Sequence, residues 1–415
     1  MLTIVTSVLF IALMIWGGKL PQKNENGKRM LHDDSMSLEV TKSLRGIAAV
    51  GVILHHISQE NAFQQANGWG KPGELSMFVN AGYLFVAIFF FCSGFGLIKS
   101  LNTKENYFDG FIKKRIVKTL LIPFYVNVIL YAGFHLVCGD KLAPGRWICN
   151  FLGLTLMNDY AWFPIVLTIL YLAFYFIFKY VKNRNLAFFL MFLVIVLQGI
   201  FFCFNGHFAW WAGPKNWWLG AGMESAKWWM EDKVIWFFGE WGVNSSIAFL
   251  VGMIFAQKEK EIRGWFTKLF TLKLIACLIL YVAFSGLSGF CQMKFGYWSE
   301  WSGQGPGIVN KLICYGAQLP EVISFVILIF AIMMLYHAEN PITRFFGNIS
   351  LETYMMNLIA ITAFRFLLYS KGGYYNIVRP YHYNLIIYEV AVFASTILLG
   401  LGYKWLNKQA NKLIK

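Results

Sequence analysis

Apolar residues in this chain fall in long blocks broken by short polar stretches, with no sustained strand-like alternation. Eleven blocks stand out, at about 2–18, 44–60, 77–98, 116–138, 160–180, 186–204, 239–256, 268–289, 319–337, 350–369 and 384–404. Runs of roughly 17–23 apolar residues suffice to cross a bilayer as helices, which satisfy their own backbone hydrogen bonds. The pattern predicts an all-α polytopic membrane protein of about 11 transmembrane helices. One block carries an arginine at one end and two histidines near the other: Leu44–Ile57, LRGIAAVGVILHHI. Arg45 and His56 are 11 residues apart, about 16 Å of helical rise and roughly 20° beyond three full turns, so they share a face. His55 points about 100° away from His56. Ionisable side chains at membrane depth are costly, which makes this helix a functional candidate.

Composition agrees with the membrane class: the 415 residues are 58% hydrophobic and 14% charged, where a soluble chain carries about a quarter charged. The net charge of +15 suits either nucleic acid or the excess of cytoplasmic Lys and Arg typical of membrane proteins. Distribution decides between them. Of the 36 Lys and Arg, 25 fall in alternate loops and the tail, including Lys19–Arg45, Lys99–Lys118, Lys258–Lys273 and Lys404–Lys415. The expected topology is N-out and C-in, with no nucleic-acid partner required. The first span has no basic stretch before it and no cleavage-like site after it, so a retained anchor is expected. Residues 1–43 then read as an anchor and cytoplasmic linker, 44–404 as the transmembrane domain, and 405–415 as a basic tail. The seven cysteines show neither CxxC nor Cys/His metal spacing, so no metal site is signalled. Cys138, Cys149, Cys203, Cys291 and Cys314 fall at or near the expected outer side, where a disulfide could form, but most read as packed thiols.

Three stretches carry candidate chemistry. Arg45 alone reads as well as a headgroup anchor, but with His56 on the same face it suits a long anionic donor. Its phosphates would sit at Arg45 and its reacting end near the imidazole, which can take up and return a proton near neutral pH. In Phe89–Leu97, Ser93, Gly94 and Gly96 permit close helix approach, and packing alone accounts for them. In Phe111–Tyr125, Lys113, Lys114, Arg115 and Lys118 form a basic cluster that serves topology and could gather a polyanion. Pro123 is expected to kink that helix.

Together and in this order, these stretches resemble the type-3 membrane acyltransferases, which O-acetylate cell-surface polysaccharides and related acceptors. The family's arginine, ten residues, then histidine corresponds to Arg45 and His56. Its F-F…S-G-F box matches Phe90–Phe95, and its basic pattern running into P-x-Y matches Arg115, Lys118, Pro123 and Tyr125. Trp162-Phe163 is similar to a later W-F start. GNISLETYMMN, Gly347–Asn357, resembles a final motif that ends in histidine, where this chain has Asn357. An amide hydrogen-bonds but is no base near neutral pH, so no acid–base role is carried to Asn357. The likeness spans residues 40–404, and the family's ten-span core makes the first span an added helix.

The resemblance implies acyl-CoA, usually acetyl-CoA, as cytosolic co-substrate, with no permanently bound cofactor. The acceptor would be a hydroxyl of a cell-envelope glycan or lipid-linked sugar, and the location a bacterial plasma membrane among its lipids. His56 would be catalytic. Arg45, Arg115, Lys118, Ser93, Gly94 and Phe95 would bind acyl-CoA, and Trp162, Glu352, Tyr354 and Asn357 would line the cavity or acceptor site. A homo-oligomer is left open. Because the chain ends soon after its last span, direct transfer to the acceptor or to a separate partner is expected.

Phe202–Gly242 holds eight of the sixteen tryptophans, Trp210 to Trp241. They suit an interfacial belt or, with Glu224, Glu231, Asp232 and Glu240, stacking platforms for sugars. Glu352 and His337 could line the donor cavity but are expected mainly as structural caps, and Arg365 and Glu389 are expected to pair rather than touch the acceptor. The rival class is a transporter or flippase with His56 in a proton relay, though no paired repeats with broken helices appear. A glycan polymerase subunit lacks its acidic metal or nucleotide-sugar motif.

Overall fold

The computed structural model describes residues 2–22, 30–62, 75–139, 144–209, 240–295, 307–368 and 385–414. In chain order the helices are α1 (Leu2–Ile15), α2 (Leu38–Ala62), α3 (Gly82–Thr103), α4 (Ile122–Cys138), α5 (Pro144–Leu152), α6 (Trp162–Tyr180) and α7 (Arg184–Ala209). They continue as α8 (Glu240–Asn244), α9 (Ile247–Gln257), α10 (Glu259–Thr267), α11 (Phe270–Phe295), α12 (Gly307–Leu335), α13 (Pro341–Asn348), α14 (Ser350–Ala363) and α15 (Leu385–Leu413). Among the described residues no strand forms, and a single isolated bridge pairs Lys19 with His337. This is an all-α, multi-pass membrane protein.

Among the described residues, seven helical segments are long and apolar enough to cross a membrane: Gly82–Thr103, Ile112–Cys138, Trp162–Tyr180, Arg184–Cys203, Phe270–Phe295, Val309–Leu335 and Leu385–Leu413. The other expected spans also contain helices. Thr3–Ile15 and Gly242–Gln257 are apolar but shorter, α14 has 14 residues, and α2 carries Arg45, His55, His56 and Glu60 in its sequence. Exposed apolar side chains point to lipid as the solvent. On α11, Leu272, Ile275, Leu278, Ile279, Leu280, Val282 and Phe290 all face outward, a surface too apolar for water.

The chain forms two compact units, Met1–Phe89 with Phe330–Lys415, and Phe90–Ile329. In the first, α2 packs on α13 and α14, and α14 packs on α15. Two glycines allow the closest approach. A Cβ at Gly46 would overlap the Thr343 carbonyl, and one at Gly347 would overlap the Lys42 carbonyl. Helix α2 and helix α13 therefore run antiparallel with their backbones touching, the use of small residues that close helix pairs require. Asn340 starts α13 with a capping box shared with Thr343, satisfying donors that the helix start leaves open. At the α12–α13 corner the Glu339 carboxylate holds Lys19 Nζ at 3.0 Å and Arg344 Nη2 at 2.7 Å. Burial alone would raise its pKa, but those two cations outweigh it and hold the carboxyl below its ordinary range.

In the second unit α3 and α9 cross at two more glycines. A Cβ at Gly94 would strike the Phe249 carbonyl, and one at Gly252 would strike the Phe91 carbonyl. Approaching α4, the chain does not simply kink at Pro123. It winds as a π-helix over Ile112–Leu121 and narrows without a break to α4 at Pro123, whose missing N–H removes one bond from the ladder of this continuous helix. Ile116 and Leu120 are buried, while Lys113 and Lys114 are exposed and Arg115 and Lys118 half-buried. All seven cysteines are free thiols, four of them buried.

Candidate functional site

Helix α2 carries His56 into the first unit with 6% of its surface exposed. Its Nδ1 lies 2.9 Å from Asn357 Oδ1 on α14. The amide's other end donates from Nδ2 to Thr396 Oγ1 on α15 at 3.0 Å. Because Oδ1 can only accept, the proton of this bond belongs to His56 Nδ1. The basic lone pair of the neutral ring is then on Nε2. Both Asn357 and Thr396 are fully buried. Three helices thus meet in one chain of hydrogen bonds that fixes the tautomer and the plane of the imidazole.

The pairings also give the helix directions. Residues 56 and 60 of α2 meet 357 and 365, so α2 and α14 run parallel. Gly400 of α15 lies against Thr353 while Thr396 meets Asn357, so α15 is antiparallel to both. Arg45 and Glu352 therefore belong to one end of the bundle and the Glu60–Arg365 pair to the other, with His56 between. Tyr354, also buried, sets its ring 6.3 Å from that of His56. Among the described residues, Arg45 makes one hydrogen bond, from Nε to the Thr41 carbonyl at 3.3 Å, and is half-buried. Glu352 is half-buried in the first turn of α14.

His55 has a different task. Its Nδ1 donates to the Phe78 carbonyl at 3.0 Å, and its ring lies where a side chain at Gly82 would be. It anchors the turn into α3. The expected pairing of Arg365 with Glu389 does not form. Arg365 instead grips buried Glu60, one turn beyond His56, through Nε at 2.9 Å and Nη2 at 2.5 Å. Glu389 accepts from Thr6 at 3.1 Å. Neighbouring helix ends, judged by height alone, suggested the wrong partner.

The remaining candidates lie in the second unit. Gly94 is a contact point for α9, whereas Gly96 has open space where a Cβ would be. Ser93 is half-buried and Phe95 buried. Arg115 stands beside the Tyr107 hydroxyl; burial raises that tyrosine's pKa and the guanidinium only partly offsets it. Trp162 is buried at the start of α6, its ring 6.3 Å from Phe90 and pressed against Gly242. Trp210–Trp236, Glu224, Glu231 and Asp232 lie outside the described residues, as do the side chains of Glu240 and Trp241.

The fold and the His56 relay define a multi-pass membrane protein with a tautomer-fixed imidazole buried among its helices, an arrangement fit for proton transfer. A sequence profile described as an acyltransferase domain, that of the type-3 group, matches residues 42–405. The chain belongs to the type-3 membrane acyltransferase family and is a membrane acyltransferase. Neither the curated proteins nor the solved structures contain a match to it.

Proposed function

We propose that the protein transfers an acyl group, in particular acetyl, from acyl-CoA to a hydroxyl of a glycan or lipid-linked sugar, with His56 as general base. The observation that carries this reading is the Asn357–Thr396 relay, which holds the His56 proton on Nδ1. Nε2 then takes the proton of the acceptor hydroxyl as its oxygen attacks the thioester carbonyl. The tetrahedral intermediate collapses by breaking the C–S bond. The proton on Nε2 passes to the departing thiolate, leaving an ester, free CoA and a neutral imidazole. Arg45, about 16 Å along α2 from His56, suits the phosphates of an extended donor whose thioester reaches the ring. Arg115 and Lys118 are assigned to donor phosphates on the family motif alone.

The reading is tested by CoA release from acetyl-CoA with purified protein and a hydroxyl acceptor. His56→Gln should lower kcat by about 10²–10⁴-fold, the usual contribution of a general base. Turnover at the wild-type rate in that variant would overturn the assignment.

A further inference from the structure

We propose that His32, Asp34 and His337 bind one divalent transition-metal ion of the zinc class, clasping the segment after α1 to the α12–α13 corner. Their ligand atoms all lie within 4.8 Å of one another, and the residues come from opposite ends of the sequence. His337 is 2% exposed. Its Nε2 is buried with no hydrogen-bond partner among the described residues, and it faces Asp34 Oδ1 at 4.0 Å. A buried ring nitrogen left in that state is unfavourable unless a donor or a metal satisfies it. His32 points its Nδ1 at the same oxygen from 3.9 Å. These separations are too long for hydrogen bonds, so the three groups converge without satisfying one another.

The far side of each ring is prepared for a metal. His32 Nε2 donates to the Lys19 carbonyl at 3.1 Å, which puts the Nδ1 lone pair toward Asp34. Behind His337 the ring is hydrogen-bonded to the Met333 carbonyl, and the Glu339 carboxylate, fixed by Lys19 and Arg344, stands 4.0 Å from Nδ1, beyond hydrogen-bond reach. An outer carboxylate or carbonyl on the distal ring nitrogen is the usual device that orients a ligating histidine. Tetrahedral zinc at about 2.0–2.2 Å from N and O puts its ligands roughly 3.3 Å apart, so the groups need to close by about 1 Å. The two rings, stacked at 3.7 Å, would splay to do so. Two imidazoles and one carboxylate favour zinc, cobalt or nickel over calcium or magnesium, which take oxygen ligands. Asp34 is exposed, giving the ion access from solvent and a water the fourth position.

Bound metal would reinforce a seam already made of backbone. Lys19 and His337 exchange both hydrogen bonds, His32 N donates to the Met334 carbonyl, and Tyr336 and Asn340 reach the carbonyls at the end of α1. The site is independent of the acyl-transfer reading.

The test uses metal-stripped full-length protein in detergent, titrated with Co²⁺ and followed by visible absorption, with melting temperature read with and without Zn²⁺. The expected result is one Co²⁺ per chain with d–d bands free of thiolate charge transfer, and a Zn²⁺-dependent rise in melting temperature. Asp34→Asn, a surface change that spares the fold, and His337→Gln should each weaken Co²⁺ by about tenfold or more and abolish the rise. Absent d–d bands, a thiolate signal from the cysteines, or equal affinity in Asp34→Asn would overturn the proposal.

Discussion

Replacing Asn357 by alanine separates a positioning residue from a base. The amide makes two bonds, 2.9 Å from His56 Nδ1 and 3.0 Å to Thr396 Oγ1, with all three side chains buried. Removing it leaves two buried polar groups without that partner, at about 1–2 kcal/mol each, so stability should fall by roughly 2–4 kcal/mol. The catalytic effect follows from the tautomer. One neutral hydrogen bond is worth about 1–1.5 kcal/mol, and losing that bias toward Nδ1–H should reduce kcat by about tenfold. That loss is well short of the 10²–10⁴-fold expected for removing a base. The Michaelis constant for acetyl-CoA should not move, since Asn357 is not assigned to the donor. Asn357→Asp keeps an acceptor opposite Nδ1 and should retain more activity than Asn357→Ala. Steady-state CoA release by protein in lipid nanodiscs, with melting temperature in parallel, gives both numbers. A wild-type kcat in Asn357→Ala, or a loss as deep as that of His56→Gln, would refute the relay.

Within one motif, Gly94→Ala should destabilise by about 1–3 kcal/mol because its Cβ meets the Phe249 carbonyl. Gly96→Ala, with open space, should be neutral or slightly stabilising by helix propensity; thermal melts compare the two. Arg365→Ala takes the guanidinium from buried Glu60 and should cost about 3–5 kcal/mol, part of which a second change, Glu60→Gln, restores; a double-mutant cycle in denaturant reads this. Arg45→Ala should raise the Michaelis constant for acetyl-CoA by about tenfold with kcat nearly kept, as expected for loss of one charged contact to bound donor. Gly347→Ala should lower kcat by displacing Asn357, and combined with Asn357→Ala it should lose no more kcat than the worse single variant; additive losses would show that Gly347 acts elsewhere.

Element type was legible because each apolar block has helical length and no competing strand pattern. That Arg45 and His56 belong to one helix was legible too, because the whole run from Leu38 to Ala62 is helical. Partners were not, because they depend on which helices lie side by side. Glu60 follows His56 by one turn on α2, and only the parallel packing of α14 brings Arg365 beside it rather than Glu389. The π-helical entry to α4 was hidden because Pro123 signals a disruption without saying how the chain absorbs it. His32 and Asp34 gave no sign of His337, which lies far along the sequence and is brought beside them by the Lys19–His337 bridge and the bond from His32 N to the Met334 carbonyl.

Asn357 shows where reasoning from residue type stops short. An amide cannot serve as base, yet the imidazole it faces needs only an acceptor at Nδ1 and a firm hold on the amide itself. Thr396 supplies that hold from α15. What brings the amide to His56 is the pair of glycines below it. Gly46 lies ten residues before His56 and Gly347 ten residues before Asn357, and each seats its backbone against the other's helix. A side chain at either glycine would push α2 from α13 and, through Ile349 at the junction, shift α14 along α2. The small residues in the LRG and GNIS runs are therefore packing residues that set the height at which the amide meets the ring.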